Sequence, residues 1–422
     1  MAWLGLYGFA WTDYEVEARA PLHALVHGHV TEFLRLAPVY GGSLVLRAPF
    51  VLLANLWGGG DLAVYRLLAL PCLLAAVALG VWLAGEMRRR GRPPLARGLA
   101  LALCVANPLT LAALEVGHPE ELLGGALCVA AVLLAARGQT LWAGVLLGTA
   151  IANKEWALLA LAPVLLVLPS RRALCLLSAA AVAGAVLAPL ALVHTGNFIA
   201  ETRATASTSS SIFQPWQVWW FLGHHGAVVH GTFGRIKPGY RTAPGWIGGL
   251  SHPLVLAFAL PLTGALWWRR TRQAARAEDV QEESFAMRER QALLLLALLL
   301  LARCMLDTWD TVYYAIPFLL ALTAWEALGP RGLPVLALAA TALAWIDFEW
   351  LRVHASADAQ AGLFLAWAPP LAVGLALALY RPGTFGARGT PGRLRAVLTR
   401  ELTRRRSAPW RAPRPAPRAR PR

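Results

Sequence analysis

Long apolar runs recur along almost the whole chain, separated by short stretches of glycine, proline and charged residues. About twenty apolar residues are enough for one α-helix to cross the hydrocarbon core of a membrane. Residues 1–11 are expected to be the outer end of a first helix whose start is missing. The runs near 140–154 and 156–169 are short, which favours broken or re-entrant helices. The pattern predicts spans near residues 62–85, 95–113, 119–136, 140–154, 156–169, 173–193, 253–268, 291–306, 313–329, 332–350 and 362–380.

Composition strengthens this prediction of an all-α polytopic membrane protein with about 11–12 transmembrane helices. Hydrophobic residues make up 57% of the 422 residues and charged residues only 15%, against about 25% charged residues in an ordinary soluble domain. A soluble enzyme and a protein with a single membrane anchor are therefore excluded. The five cysteines all lie inside apolar runs without a CxxC pair, which indicates packing residues rather than disulfides or metal ligands.

Charge placement predicts the orientation in the membrane. One set of loops, together with the C-terminal tail, holds 28 of the 39 basic residues, which identifies that side as cytoplasmic. All ten histidines lie on or next to the opposite face. The sequence therefore predicts a bacterial plasma-membrane protein whose working surface, and active site, face outside.

The tail is predicted to differ from the multi-pass membrane domain, which is placed at residues 1–380. Residues 381–422 contain thirteen arginines and one acid, Glu401, and many prolines. This composition is typical of a disordered segment. A cytoplasmic tail of this charge would be attracted to membrane lipids with anionic headgroups. Nucleic acid is not predicted as a partner, because no basic helix with interleaved aromatic residues accompanies the charge.

Two long outer segments are predicted, at residues 12–61 and 194–252. The first opens with Asp13, Glu15 and Glu17, and contains an apolar stretch at 44–57 suited to the interface plane. On a helix Asp13 and Glu17 share a face. A carboxylate at a low-dielectric boundary is a candidate general base. The alternative interpretation is a solvated cluster of acids at a helix end.

Lys154 is one of only two lysines, and it interrupts two apolar runs near the outer side. A charge at membrane depth is costly and therefore points to a functional site. Lys154 could neutralise the phosphate of a lipid-linked substrate. The alternative is a structural ion pair with Glu155 or with an acid on a neighbouring helix.

Two further pairs of residues are candidates for substrate contacts. His118 and Glu120 lie in a tight outer turn, where they could face a cavity and contact a sugar or phosphate. The acids could instead serve only to cap the next helix. Arg303 precedes Asp307 by four residues within an apolar span, so the two could pair internally. Alternatively, Arg303 would bind a phosphate bidentately.

Neither a metal nor a cofactor is indicated by the sequence. His23, His27 and His29 lie close together, but no fourth ligand follows at a standard zinc spacing. The Walker A, dinucleotide-binding and GxSxG patterns are absent. A divalent metal remains open rather than predicted.

In their order, these motifs resemble the GT-C superfamily of integral membrane glycosyltransferases. The resemblance covers residues 1 to about 380 and is closest to the actinobacterial mannosyltransferases of glycosyltransferase family 87. The stretches that carry it are Asp13-Tyr14-Glu15 through to Gly28, Gly117-His118-Pro119-Glu120, Asn153-Lys154-Glu155-Trp156 through to Pro169, and Leu306-Asp307 with Tyr313-Tyr314.

The resemblance implies a GT-C fold with a long first outer loop and a polyprenyl-phosphate-sugar donor used at the outer leaflet. It also implies inversion at the anomeric carbon, a lipid or glycan acceptor, and a carboxylate base that corresponds to Asp13. Lys154, His118, Glu120, Arg303, Asp307 and Glu17 are the expected substrate-binding residues. A transporter or flippase of a lipid-linked saccharide is the competing interpretation, because it would also need charges inside the membrane. A structural scaffold would leave those charges without a role.

Overall fold

The computed structural model describes residues 13–38, 41–58, 60–193, 213–225, 240–274 and 281–381, with residues 196, 199, 229–230 and 236–237 between them. The predicted first helix over residues 1–11 lies outside the described residues, and so does the tail beyond residue 381. Contacts divide the chain into the units 1–376 and 377–422. The description below concerns the first unit and the helix that runs out of it.

Short helices form the first segment, and longer helices follow. A π-helical turn, Tyr14–Ala18, leads into α1 (Arg19–Val26), α2 (Val30–Leu36) and α3 (Gly41–Val51), and α3 continues into a 3₁₀ turn, Leu52–Trp57. The next helices are α4 (Asp61–Arg89), α5 (Pro94–Val105), α6 (Pro108–Val116), α7 (Glu120–Ala136), α8 (Thr140–Asn153), α9 (Leu161–Val167) and α10 (Arg172–Val193).

The second half is also mainly helical, and a short β-pairing precedes its helices. Strand β1 (Val229–His230) pairs antiparallel with β2 (Ile236–Lys237). The helices that follow are α11 (Gly245–Ala274), α12 (Gln281–Leu306), α13 (Ala315–Ala327), α14 (Val335–Trp345), α15 (Leu351–His354) and α16 (Ala357–Tyr380). Short turns lie between these elements. The 3₁₀ turn Glu155–Ala160 precedes α9, Trp220–Leu222 precedes β1 and Val312–Tyr314 precedes α13, and the π-helical turn Ile346–Trp350 precedes α15.

The fold class predicted from the apolar runs is confirmed. Among the described residues, five helical stretches are long and apolar enough to cross a membrane: Asp61–Arg89, Pro94–Val116, Arg172–Val193, Gly245–Arg272 and Ala357–Tyr380. Shorter apolar stretches accompany them at Gly41–Leu56, Thr140–Asn153, Glu155–Val167 and Val312–Ala327. Each of the predicted spans within the described residues coincides with a helix or with a helix and its flanking turn, except 95–113, which is divided between α5 and α6 at Asn107.

The two short runs around Lys154 form a broken helix, as predicted. The backbone of Lys154 is extended (φ −155°, ψ 135°) and ends α8, and a 3₁₀ turn follows before α9. A break of this kind inside an apolar region places backbone and side-chain polar groups at membrane depth. Such breaks occur where surrounding protein satisfies those groups.

Helix α7 is held centrally by close contacts at small residues. A Cβ atom on Gly125 would lie 2.9 Å from the Cα of Pro317, and one on Gly124 would lie 2.8 Å from the Trp156 ring. Nearby, a Cβ atom on Gly148 of α8 would lie 2.4 Å from the carbonyl oxygen of Ala179 in α10. Small residues at these points allow the helices to approach closely. The N-terminus of α7 is therefore held in a defined position.

Candidate active site

Two adjacent carboxylates, Glu120 and Glu121, begin helix α7 and form the centre of a charged cluster. Their side chains are 1% and 0% exposed. A helix N-terminus favours negative charge, because its first N–H groups and the helix dipole point towards it. That contribution is small compared with the cost of burying two ionised groups, so cationic partners are required.

His118 connects this buried centre to the first segment of the chain. Its Nδ1 atom lies 2.6 Å from Oε1 of Glu120, and its Nε2 atom lies 3.1 Å from Oδ2 of Asp13. Gly117 makes the approach possible: its φ is +114°, and a Cβ atom there would lie 2.6 Å from the backbone nitrogen of Tyr14. Only glycine allows the turn to pack this closely against residues 13–18.

The surroundings of His118 favour its protonated form. Burial lowers the pKa of this histidine, but the charge of Glu120 and the hydrogen bonds with Asp13 and Glu120 outweigh burial and raise the pKa to about 9. The imidazolium donates one hydrogen bond to each acid. Tyr313 packs against the ring, with 4.4 Å between ring centroids. His118 is thus fixed on both edges and on one face.

The first acid cluster has the predicted geometry. Asp13 and Glu17 both face His118, with Oε2 of Glu17 lying 3.9 Å from Nε2. Glu15 points away and pairs with Arg19 at 2.6 Å. The side chains of Asp13 and Glu17 are 28% and 36% exposed, which makes them the solvent-reaching members of the cluster.

Lys154 reaches both buried carboxylates from the break between α8 and α9. Its Nζ atom lies 3.3 Å from Oε1 of Glu120 and 4.0 Å from Oε1 of Glu121. The residue is 9% exposed. The sequence left two kinds of ion-pair partner open for Lys154, and the structure shows acids on a neighbouring helix, α7.

Arg303 approaches Glu121 from helix α12. Its Nη1 atom lies 3.4 Å from Oε2 of that carboxylate, and its guanidinium group lies 4.0 Å from the centre of the Tyr314 ring. The Trp156 indole donates to Oε1 of Glu121 at 3.2 Å. Asp307, the internal partner considered from sequence, lies instead 3.3 Å from Nε2 of His252.

Arg47 is a member of the cluster that the sequence interpretation missed. It is 1% exposed and donates from Nη2 to Oε2 of Glu120 at 3.2 Å. Its guanidinium group also donates to the Ser43 hydroxyl and carbonyl oxygens, at 2.8 and 3.1 Å. The signal was present, since Arg47 is the one charged residue of the 44–57 stretch. The apolar pattern of that stretch predicts a place in the membrane interface, where an arginine can reach water.

The cluster balances its own charge. Four acids face three permanent cations and one protonated histidine: Asp13, Glu17, Glu120 and Glu121 on one side, and Arg47, Lys154, Arg303 and His118 on the other. Burial of such groups is tolerated when each ion is paired and hydrogen-bonded. The exposed edge at Asp13 and Glu17 leaves carboxylate oxygens able to accept a proton.

The helices define an all-α polytopic membrane protein, as the apolar runs predicted, and the paired cluster lies around the N-terminus of α7. Residues 40–171, about a third of the chain, match the N-terminal domain of the MptA_B family of alpha-(1->6)-mannopyranosyltransferases. This match supports a glycosyltransferase activity, of the mannosyltransferase type, for the chain. The matched segment contains Arg47, His118, Glu120 and Lys154, whereas Asp13 and Arg303 lie outside it. No curated protein and no solved structure has significant similarity to the chain.

Proposed function

We propose that this mannosyltransferase takes mannose from a polyprenyl-phosphate donor and transfers it, with inversion, to a lipid or glycan acceptor at the outer face of the membrane. The observation that carries the proposal is the buried cluster itself. In it a partly exposed carboxylate, Asp13, lies 3.1 Å from the buried His118, and His118 shares its other partner, Glu120, with Lys154. The choice of mannose as the sugar rests on the match to a mannosyltransferase family.

A polyprenyl donor suits a site at the membrane boundary. Its apolar tail stays in the bilayer, since removing each CH₂ group costs about 0.8 kcal/mol. The sugar phosphate must therefore be bound at the level of the headgroups. Lys154 and Arg303 are the proposed phosphate partners, because both are cations within reach of Glu121 from different helices. Asp307, which follows Arg303 by one helical turn and lies 3.3 Å from His252, is a further proposed substrate contact.

Asp13 is the proposed general base. It accepts the proton of the acceptor hydroxyl as that oxygen attacks the anomeric carbon. The bond from the anomeric carbon to the phosphate oxygen breaks, and the electron pair leaves with the polyprenyl phosphate. One displacement inverts the anomeric configuration, and one carboxylate suffices for it. Glu17, on the same face, is the reserve candidate.

The donor is tested with protein purified into lipid nanodiscs and supplied with radiolabelled mannose. We expect label from polyprenyl-phosphate-mannose to enter an acceptor lipid or glycan, and label from a soluble nucleotide-mannose to remain untransferred. Analysis of the product anomer tests inversion. Transfer from the nucleotide sugar alone would overturn the donor assignment.

The outward orientation is tested by introducing single cysteines at exposed positions. The five native cysteines are all buried, so background labelling should be low. We expect a membrane-impermeant thiol reagent to label Thr31→Cys in intact cells and to label Arg89→Cys only after lysis. Both positions are exposed in the structure. The reverse labelling pattern would place the site on the cytoplasmic side.

A further inference from the structure

Glu120 stands at the centre of the cluster without being one of its solvent-reaching groups. Its two carboxylate oxygens face different partners: Oε1 faces His118 and Lys154, and Oε2 faces Arg47. At 1% exposure it is covered by protein atoms. A group so placed acts on chemistry through its neighbours.

Arg47 holds Glu120 by a closed set of hydrogen bonds. Nη2 of Arg47 donates to the Ser43 hydroxyl, and that hydroxyl donates to Oδ1 of Asn153 at 2.9 Å. The Asn153 amide donates in turn to the backbone carbonyl oxygen of Glu120 at 3.0 Å. These bonds join three separate elements, α3, the end of α8 and the start of α7, around Glu120. Arg47 bonds the carboxylate of Glu120, and Asn153 bonds its backbone carbonyl oxygen.

We infer that Arg47 is a positioning residue for the transfer reaction, acting through Glu120 and His118 to orient Asp13. This inference rests on the proposed function, because it assumes that Asp13 is the base. With one oxygen of Glu120 held by Arg47, the other is fixed against Nδ1 of His118, and the opposite ring nitrogen is then aimed at Asp13. The chain of contacts fixes which oxygen of Asp13 is occupied and which is available to an acceptor hydroxyl.

The protonation state of His118 depends on the charged and titratable groups that surround it, which several different elements contribute. Asp13 and Glu17 approach from the first turn, Glu120 from α7, Lys154 from the end of α8, and Tyr313 from the 3₁₀ turn before α13. The acids hold the imidazolium form, and Lys154 opposes it. Without the Glu120 charge, the repulsion between Lys154 and the imidazolium of His118 is no longer offset by that carboxylate. The pKa of His118 should therefore fall, and the histidine should lose its proton at a lower pH.

The test compares Arg47→Met, Arg47→Lys and Glu120→Gln with wild type in the nanodisc transfer assay. For Arg47→Met we expect turnover to fall about 10–100-fold, the loss that removal of a supporting contact typically causes, with little change in the donor KM. Lysine keeps the charge but not the planar fork, so Arg47→Lys should recover part of the turnover. In Glu120→Gln, the alkaline limb of the pH–rate profile should move to lower pH.

The control is Arg270→Met, which removes a partly buried arginine that also holds two helices together. Arg270 donates to the carbonyl oxygen of Leu166 at 2.8 Å and to Gln291, away from the cluster. It measures the cost of losing a hydrogen-bonded guanidinium group outside the cluster, and its turnover per folded molecule should stay within about twofold of wild type.

The outcomes separate the inference from the proposed function. Absence of mannose transfer by the wild-type protein overturns the proposed function, and the inference falls with it. Active wild type together with unchanged turnover in folded Arg47→Met overturns the inference alone. An alkaline limb that stays in place in Glu120→Gln also overturns it. If Arg47→Met does not fold, Arg47→Lys and Glu120→Gln decide the question by the same two readouts.

Discussion

The two ends of helix α4 lie near charged clusters of opposite character. At its C-terminal end, Glu86 contacts Arg89, Arg90 and Arg137, and these four side chains are 16–66% exposed. In the cluster at the other end, the side chains of His118, Glu120, Glu121, Lys154, Arg303 and Arg47 are at most 10% exposed. Both clusters link helices, but only the second has a core closed to water, with Asp13 and Glu17 forming its exposed edge.

This difference in burial changes what each cluster can do. Exposed ion pairs are screened by water and typically contribute about 0–1 kcal/mol. Removing one partner of a buried pair typically costs about 3–5 kcal/mol, because the other charge is left without compensation. The Glu86 cluster is therefore suited to holding helix ends, on the side where most arginines lie. The buried cluster is an expensive arrangement, and the proposed chemistry gives it a reason to exist.

The largest effect is expected for Asp13→Asn. Asparagine keeps the size of the side chain but cannot accept the acceptor proton, so transfer should fall about 10²–10⁴-fold while donor binding persists. Turnover is measured at matched protein levels beside Glu17→Gln and Glu15→Gln. Glu15 faces Arg19, so its variant is the control from the same turn. If Glu17→Gln is inactive and Asp13→Asn is not, the base lies one helical turn further on.

A smaller effect is expected for Lys154→Met, through the donor phosphate. Losing one charge-assisted hydrogen bond should weaken donor binding by about 1.5–3 kcal/mol. Donor KM and the thermal midpoint are measured together, because Glu120 and Glu121 also lose a partner. Arg137→Met, at the exposed cluster, is the control. An unchanged donor KM in folded Lys154→Met would mean that the lysine serves only the ion pairs.

The buried cluster also predicts a pH dependence of stability. His118 has a folded-state pKa of about 9, above the value of about 6.5 in an unfolded chain. Its contribution should therefore be complete below about pH 6.5 and be lost as the pH rises through about 9. Thermal midpoints across this range should fall for wild type and fall less for His118→Gln. Parallel curves for the two proteins would contradict the pKa shift.

The smallest effect is expected for Glu86→Gln, which removes the shared acid of the exposed cluster. Stability should change by no more than about 1 kcal/mol, and turnover should be unaffected. A chemical denaturation curve and the transfer assay measure the two quantities. A large loss of turnover would show that the two clusters are coupled, and would remove the contrast between them.

The chain pattern was enough to place the helices. Within the described residues the apolar runs form helices, although the run at 95–113 is divided into two at Asn107, and the break at Lys154 was expected from the shortness of the two runs around it. The face shared by Asp13 and Glu17 was also predictable, because it depends on residues only one turn apart. These features are local, since the length of a run and the period of a helix are set by neighbouring residues.

The partners inside the cluster depended on contacts between distant parts of the chain. Lys154 meets Glu120 and Arg303 meets Glu121 because α7 is packed between the segments that carry the two cations. The apolar stretch around Arg47 predicted a position at the membrane interface, yet the packing of α3 buries Arg47 against Glu120. Hydrophobicity predicts that a segment leaves water but does not specify its neighbours. Which acid compensates which cation is decided by close packing at small residues such as Gly117 and Gly125, where the helices and turns come close enough to exclude water.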